Sequence, residues 1–257
     1  MILKKCVLTA SVGSLLSLSA LSVYAADEDV TFSDDTPAVS ESVAPLTESA
    51  QSAPLSESDP SSWVDMSDPT AIYSHASIGG GNQGVDLSAT YGGYLSGVYK
   101  HSFTLAARED LEHYETNYFI LNSASNSGVA FDNSWSEDIR VDHTDYDDLN
   151  DNSIGFFAKL PFMEDKVRFH PKVSVGFIWG DDFSDTTYVK FDATTRYRFD
   201  HMYWVGVTPT YAYGFKGEDL NEWTATLDAG VQISDVFGIS ASVNDDKDFL
   251  ANVTFAF

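Results

Sequence analysis

From about residue 71 to the C-terminus, apolar and polar residues alternate with period two over stretches of about 9–16 residues, separated by clusters of Gly, Asp and Asn. The clearest stretch runs from Val167 to Trp179. Val167, Phe169, Pro171, Val173, Val175, Phe177 and Trp179 share one face, and Arg168, His170, Lys172, Ser174 and Gly176 share the other. Val189–Arg198, Tyr203–Tyr213 and Trp223–Ile233 repeat the pattern. Side chains of a β-strand point alternately to opposite sides, so period two means a strand with one apolar face. Read back from the C-terminus, strands are expected at 249–257, 236–244, 222–234, 202–214, 186–198, 167–180, 152–162, 103–122, 84–100 and 71–79. Within 103–122 the alternation changes phase between Arg108 and His113, which reads as a bulge. Residues 123–151 read as a long polar loop. Ten strands follow. Twelve follow if Gly128–Val141 is a strand and 84–107 divides in two; eight would leave the first two outside the sheet.

Alternation alone fits a soluble sandwich, with its apolar face inward, or a membrane barrel, with its apolar face on lipid. Three features choose the barrel. The strands match the roughly 9–11 residues that cross a bilayer when tilted. Aromatic residues fall at strand ends on the apolar face: Tyr99, Phe162, Phe169, Tyr197, Tyr203 and Phe237 near one set of turns, Trp179, Tyr213 and Trp223 near the other. Tight turns at Met163–Asp165, Asp200–His201 and Ser234–Asp235 alternate with looser acidic ones at Asp181–Asp185, Phe215–Asn221 and Asn244–Asp248. The expected fold is all-β, an antiparallel up-and-down transmembrane barrel over residues 71–257.

The last strand places Phe249, Ala251, Val253, Phe255 and Phe257 on one face and ends in an aromatic residue. It resembles the terminal strand of Gram-negative outer-membrane barrels, and the chain as a whole is similar to small OmpA-like or porin-like barrels. That resemblance implies an outer-membrane location. It also implies contact with outer-membrane lipid and lipopolysaccharide, and recognition of Phe249, Val253, Phe255 and Phe257 by the barrel assembly machinery. The N-terminus agrees. Lys4 and Lys5 precede an apolar run from Val7 to about Leu21, and Val23-Tyr24-Ala25 precedes Asp27-Glu28-Asp29. This is a secretory signal over residues 1–25, cleaved after Ala25. Residues 26–70 contain no Lys, Arg or His and are rich in Ser, Pro, Asp and Glu. Such a stretch buries too little apolar surface to offset ordering entropy and is expected to be a disordered periplasmic segment. Trp63, Val64 and Met66 interrupt its polarity and are placed to dock on the barrel rim.

Lys plus Arg is 14 against 39 Asp plus Glu, a formal net charge of −25. That balance excludes a nucleic-acid partner gripped through overall charge. The one cysteine, Cys6, lies in the signal segment, which excludes disulfides and cysteine-based metal sites from the mature chain; no cofactor is expected. The polar strand faces carry Lys100, Lys159, Arg168, His170, Lys172, Lys190, Arg196 and Arg198, but only Asp86, Asp192 and Asp228. On lipid each basic residue would cost about 2–4 kcal/mol at mid-bilayer, so they belong in the lumen, which reads as net basic.

Ten strands lie near the size at which side chains fill a barrel. The leading functional expectation is therefore a non-enzymatic structural or surface-interaction barrel, with loop 123–151 offering an acidic ligand surface. The alternative is a narrow anion-favouring pore. A third reading is a rim hydrolase: Asp142-His143 superficially resembles the Asp-His pair of omptin-type proteases. Adjacent residues on a strand point to opposite faces, however, so the pair lacks the geometry of a site.

Overall fold

The computed structural model describes residues 63–141, 144–181 and 183–257. The signal segment with Ala25, residues 26–62 of the acidic segment and the Asp142-His143 pair lie outside the described residues. Thirteen strand segments follow in order: β1 (His75–Gly81), β2 (Gly84–Ser96), β3 (Tyr99–Arg108), β4 (His113–Asn122), β5 (Ser127–Val141), β6 (Thr144–Ala158), β7 (Leu160–Phe162), β8 (Val167–Asp181), β9 (Phe183–Arg198), β10 (Tyr203–Lys216), β11 (Asn221–Gln232), β12 (Phe237–Asn244) and β13 (Phe249–Ala256). Neighbours pair antiparallel throughout, and β1 pairs with β13 from His75↔Ala256 to Gly81↔Leu250, which closes the sheet. Short β7 continues β6 past Lys159, and both pair with β8. The described segments therefore build a closed barrel of twelve strands.

Ten strands become twelve for two reasons. The phase change at Arg108–His113 is a turn, not a bulge: Glu109, Asp110 and Leu111 take φ of 55°, 56° and 77° and reverse the chain between β3 and β4. Residues 123–151, expected as a loop, form only a short turn before β5 and β6 pair as a hairpin from Ser127↔Ala158 to Val141↔Thr144. Their alternation is hidden because polar residues occupy both faces near the aromatic level of Tyr114 and Trp135. Outward Asn133, for example, donates to outward Asn152 at 3.0 Å. There the strands no longer need an apolar face.

The wall is inside-out relative to a soluble protein. Ile78, Leu87, Leu105, Val175, Val205, Val207 and Leu227 are exposed, whereas Ser102, Ser136, Arg168, His170 and Ser174 are buried. Exposed aromatics ring the band at two levels. Tyr197 packs edge-on to Phe199 and Phe237 lies against Phe255 at the short-turn end; Tyr211 lies against Trp223 at the other. This is the wall of a transmembrane barrel.

Glycine is required where an inward aromatic ring lies across the neighbouring strand. Trp204 and Gly230 are direct partners of β10 and β11, and Tyr188 and Gly176 of β9 and β8. A Cβ on either glycine would run into the facing ring. Gly230→Ala is expected to destabilise the barrel by about 1–3 kcal/mol through overpacking, read as a lower urea midpoint in lipid vesicles.

Candidate functional site

Two unlike half-walls face each other across the lumen. On β11–β13, β1 and β2 most inward residues are short, among them Thr224, Thr226, Ser240, Ser242, Asn252, Thr254, Ser77, Ser88 and Thr90, with Asp86, Asp228, Gln232 and Leu250 between them. The long basic side chains stand on β8 and β9. Small side chains cannot fill their half, and a polar cavity of about 1170 Å³ opens at the long-loop end beside Asp86, Arg108, Glu115, Thr226 and Ser242.

The other end, where the tight turns lie, is occupied by residues 63–74, which run inside the wall. Met66, Ser67, Asp68 and Thr70 are buried. Composition alone places residues 63–70 in the solvated segment; Met66 lies inside the short-turn rim, its sulfur against Gly238 and its N–H on Gln232, residues at the ends of β12 and β11. Asp65 Oδ2 accepts from Arg168 Nη1 at 2.5 Å and from Arg198 Nη1 at 2.7 Å. Asp68 pairs through Oδ1 with His170 Nε2 at 3.1 Å and through Oδ2 with Lys159 Nζ at 2.5 Å. Arg196 Nη1 donates to the Ser67 carbonyl at 2.8 Å, and its Nε lies 3.0 Å from Asp228. Asp165, in the turn before β8, takes Arg168 bidentately through Nε and Nη2. The Gln232 side chain donates to the Val64 carbonyl at 2.7 Å and accepts from the Met66 N–H at 3.3 Å. The segment is shaped by two local turns, in which Asp65 Oδ1 accepts from Ser67 N–H and Asp68 Oδ1 from Thr70 N–H.

Burial works against a charged Asp68. The hydrogen bond to His170 and the Lys159 ammonium outweigh it and hold the carboxyl well below the usual carboxylate range. The hydrogen bond from Arg168 likewise holds Asp165 below that range. Arg168 is 5% exposed and Asp68 6%, so these two are shielded from bulk solvent, whereas Asp165 stays partly exposed in its turn.

Higher in the lumen, Lys172 Nζ meets Asp132 Oδ2 at 2.5 Å, and Asp132 also accepts from Asn117. Tyr188 donates to Asp151 at 2.7 Å, and Thr210 to Asp192 at 2.8 Å. Lys190 stands level with Ser174 and Ala212. Near the cavity, Arg108 pairs with Asp86 at 3.0 Å and Glu115 at 2.8 Å.

The residues expected in the lumen divide among three places in the structure. Lys159, Arg168, His170, Arg196, Arg198 and Asp228 gather at the floor. Lys172, Lys190 and Asp192 lie at mid-height. Lys100 stands apart at the rim, 5.0 Å over the Tyr94 ring. The expected net-basic lumen is offset by acids that sequence reasoning misses. Asp132 and Asp151 belong to the hairpin read as a loop, Glu115 to a strand read as bulged, and Asp65 and Asp68 to the segment read as solvated. Their one sequence signal is Asp65-Met66-Ser67 and Asp68-Pro69-Thr70, each an Asp with a hydroxyl residue two positions on. Among the described residues, no group of three or more His, Cys, Asp or Glu is placed to hold a metal ion. On β13, Val253 pairs with Ile78 and Ile239, while Phe249 and Phe255, and Phe257 just past the strand, are exposed.

No family model matches the chain, and no curated protein matches it. Among solved structures it is similar to the NanC porin, at 5% identity over 72% of this chain and 98% of that one, with a TM-score of 0.48. It is similar to the KdgM porin in complex with disordered oligogalacturonate, at 10% identity, 72% and 99% coverage and a TM-score of 0.46. It is also similar to the Acinetobacter baumannii outer membrane protein Omp33, at 11% identity, 72% and 99% coverage and a TM-score of 0.33. These are likenesses of fold. The fold is read from the chain itself: a closed, all-antiparallel sheet with its apolar face outward, the build of a transmembrane β-barrel.

Proposed function

We propose that the protein is a porin-like passive channel of the outer membrane, taking small polar solutes and favouring anions where its basic residues line the path. The observation that carries this is the unequal lumen: strands with mostly short inward side chains stand opposite the long basic side chains of β8 and β9, leaving a polar cavity at the long-loop end instead of a packed core. Twelve strands also enclose more space than the roughly eight that side chains fill. The stretch offered as a ligand loop, 123–151, contributes barrel wall at its two ends, while residues 138–141 and 144–146 form a hairpin end that pairs only with itself, so a ligand bound at this acidic surface stays the second reading. Lipopolysaccharide contact and recognition of the C-terminal Phe257 by the assembly machinery remain part of the proposal, supported by the outward face of β13.

Conductance of the refolded protein in a planar bilayer, with a salt gradient across it, tests the reading. Discrete steps are expected. Lys172→Glu and Lys190→Glu are each expected to move the reversal potential toward cations, since each inverts a charge at mid-lumen. Silence from folded protein, both with residues 63–74 and without them, would sink the channel.

A further inference from the structure

Residues 63–72 meet the barrel floor as a ligand meets a site. The cations come from the rigid wall: Lys159 after β6, Arg168 and His170 on β8, Arg196 and Arg198 on β9. The carboxylates come from a segment that joins no strand. With no Lys, Arg or His between residues 26 and 70, Asp65 and Asp68 have no cation of their own segment to pair with. The described hydrogen bonds from the wall to residues 64–68 run through wall side chains, the five above and Gln232, and Ile72 packs on the cluster of Leu121, Ala130 and Phe157.

Without the segment, three guanidiniums and an ammonium would crowd one side of the passage, with only Asp165 and Asp228 paired to them. Arg168 and Arg198 converge on one Asp65 oxygen and share Asp165 Oδ2 on their other side, at 2.5 and 3.4 Å, so without the segment two carboxylates face three guanidiniums and an ammonium and the floor keeps an excess of positive charge. The bare floor is thus an anion site, and the two turn-forming aspartates fill it. We propose that residues 63–72 are a tethered plug that closes the channel at its short-turn end by occupying this anion site, and that a soluble polycarboxylate displaces it. The closing role rests on the channel reading; occupancy of the site does not. With the plug in place the floor is neutralised, so anion preference belongs to the unplugged state.

The test uses full-length protein carrying Cys6→Ser and Ser67→Cys, refolded in lipid vesicles, with a neutral maleimide as probe. Ser67 is 4% exposed, so labelling of the thiol placed there is expected to be slow. Adding Asp65→Asn and Asp68→Asn is expected to speed it by about tenfold or more, since two charge-assisted contact sets are lost. Citrate is expected to speed it beyond sodium chloride of equal ionic strength, and conductance to rise in parallel. Fast labelling of the starting protein, or no response to the double substitution, would overturn the docked plug. Citrate acting no better than sodium chloride would overturn the anion site. A protected thiol together with undiminished conductance would overturn the closing role and leave the channel standing. Labelling that responds while no state conducts, including one lacking residues 63–74, would overturn the channel and with it the closing role, but not the docked segment.

Discussion

Arg168→Met is expected to release residues 63–72 from the floor and to raise maleimide labelling of the Ser67→Cys protein by about a hundredfold, the equivalent of about 3 kcal/mol. Arg168 is the buried hub of the cluster. It binds Asp65 and Asp165 and lies 3.9 Å from Asp68. Its removal leaves those carboxylates close together with less positive charge among them. Removing one member of a buried pair generally costs about 3–5 kcal/mol, and the low end applies here because Asp65 and Asp165 are partly solvated. Arg198→Met is expected to do less, because Asp65 keeps Arg168. Both variants should still shift on a heat-modifiable gel, since neither side chain takes part in the strand ladder. An Arg168→Met protein that labels as slowly as its parent would show that apolar packing, not charge, holds the segment.

Acidity acts on the same contact with a definite sign. Docking lowers the Asp68 pKa relative to a free carboxyl near 4. Its contribution is therefore complete above the free value, and is lost as pH falls through the lower docked value. The groups facing Asp68 are Lys159, Arg168, His170 and Thr70, and Asp68 itself adds no titration between pH 5 and 8.

The strands of the C-terminal half are legible in the sequence because their two environments are pure. Between Val167 and Val243 the outward residue is almost always apolar or aromatic and the inward one polar, so period two survives to the strand ends. The N-terminal half mixes the signals. Arg108 and His113 lie on either side of a turn containing no glycine and no proline, so the reversal looks like a change of phase. The β5–β6 hairpin places Asn133 and Asn152 outward, near where lipid ends, and its composition becomes that of a loop. The inward direction of the floor cations is legible for the same reason as the strands. Their partners are not, because Asp65 pairs with Arg168 across 103 residues and Asp68 with Lys159 across 91. Nothing in local composition distinguishes an aspartate that will be neutralised in a lumen from its many acidic neighbours upstream.

The inside-out assignment itself makes a sharp prediction at two adjacent residues of β11. Leu227 is exposed and level with Val207 and Val243, within the apolar band. Leu227→Arg is expected to destabilise the barrel by about 2–4 kcal/mol, the penalty of an arginine facing the middle of the bilayer. Thr226 is level with Thr208 and Asn244 and points into the polar lumen. Thr226→Arg adds the same guanidinium to a wet wall of small side chains, where water and neighbouring hydroxyls solvate it. Its stability should stay close to the parent's. Its effect should instead appear as a smaller conductance step with stronger anion preference, because the new cation projects into the open half of the lumen. Urea unfolding from vesicles, followed by tryptophan fluorescence, measures the first difference and bilayer recording the second. Equal penalties for the two variants would mean that both faces of β11 meet the same medium, and the barrel would then have to be read as a soluble protein with a filled core.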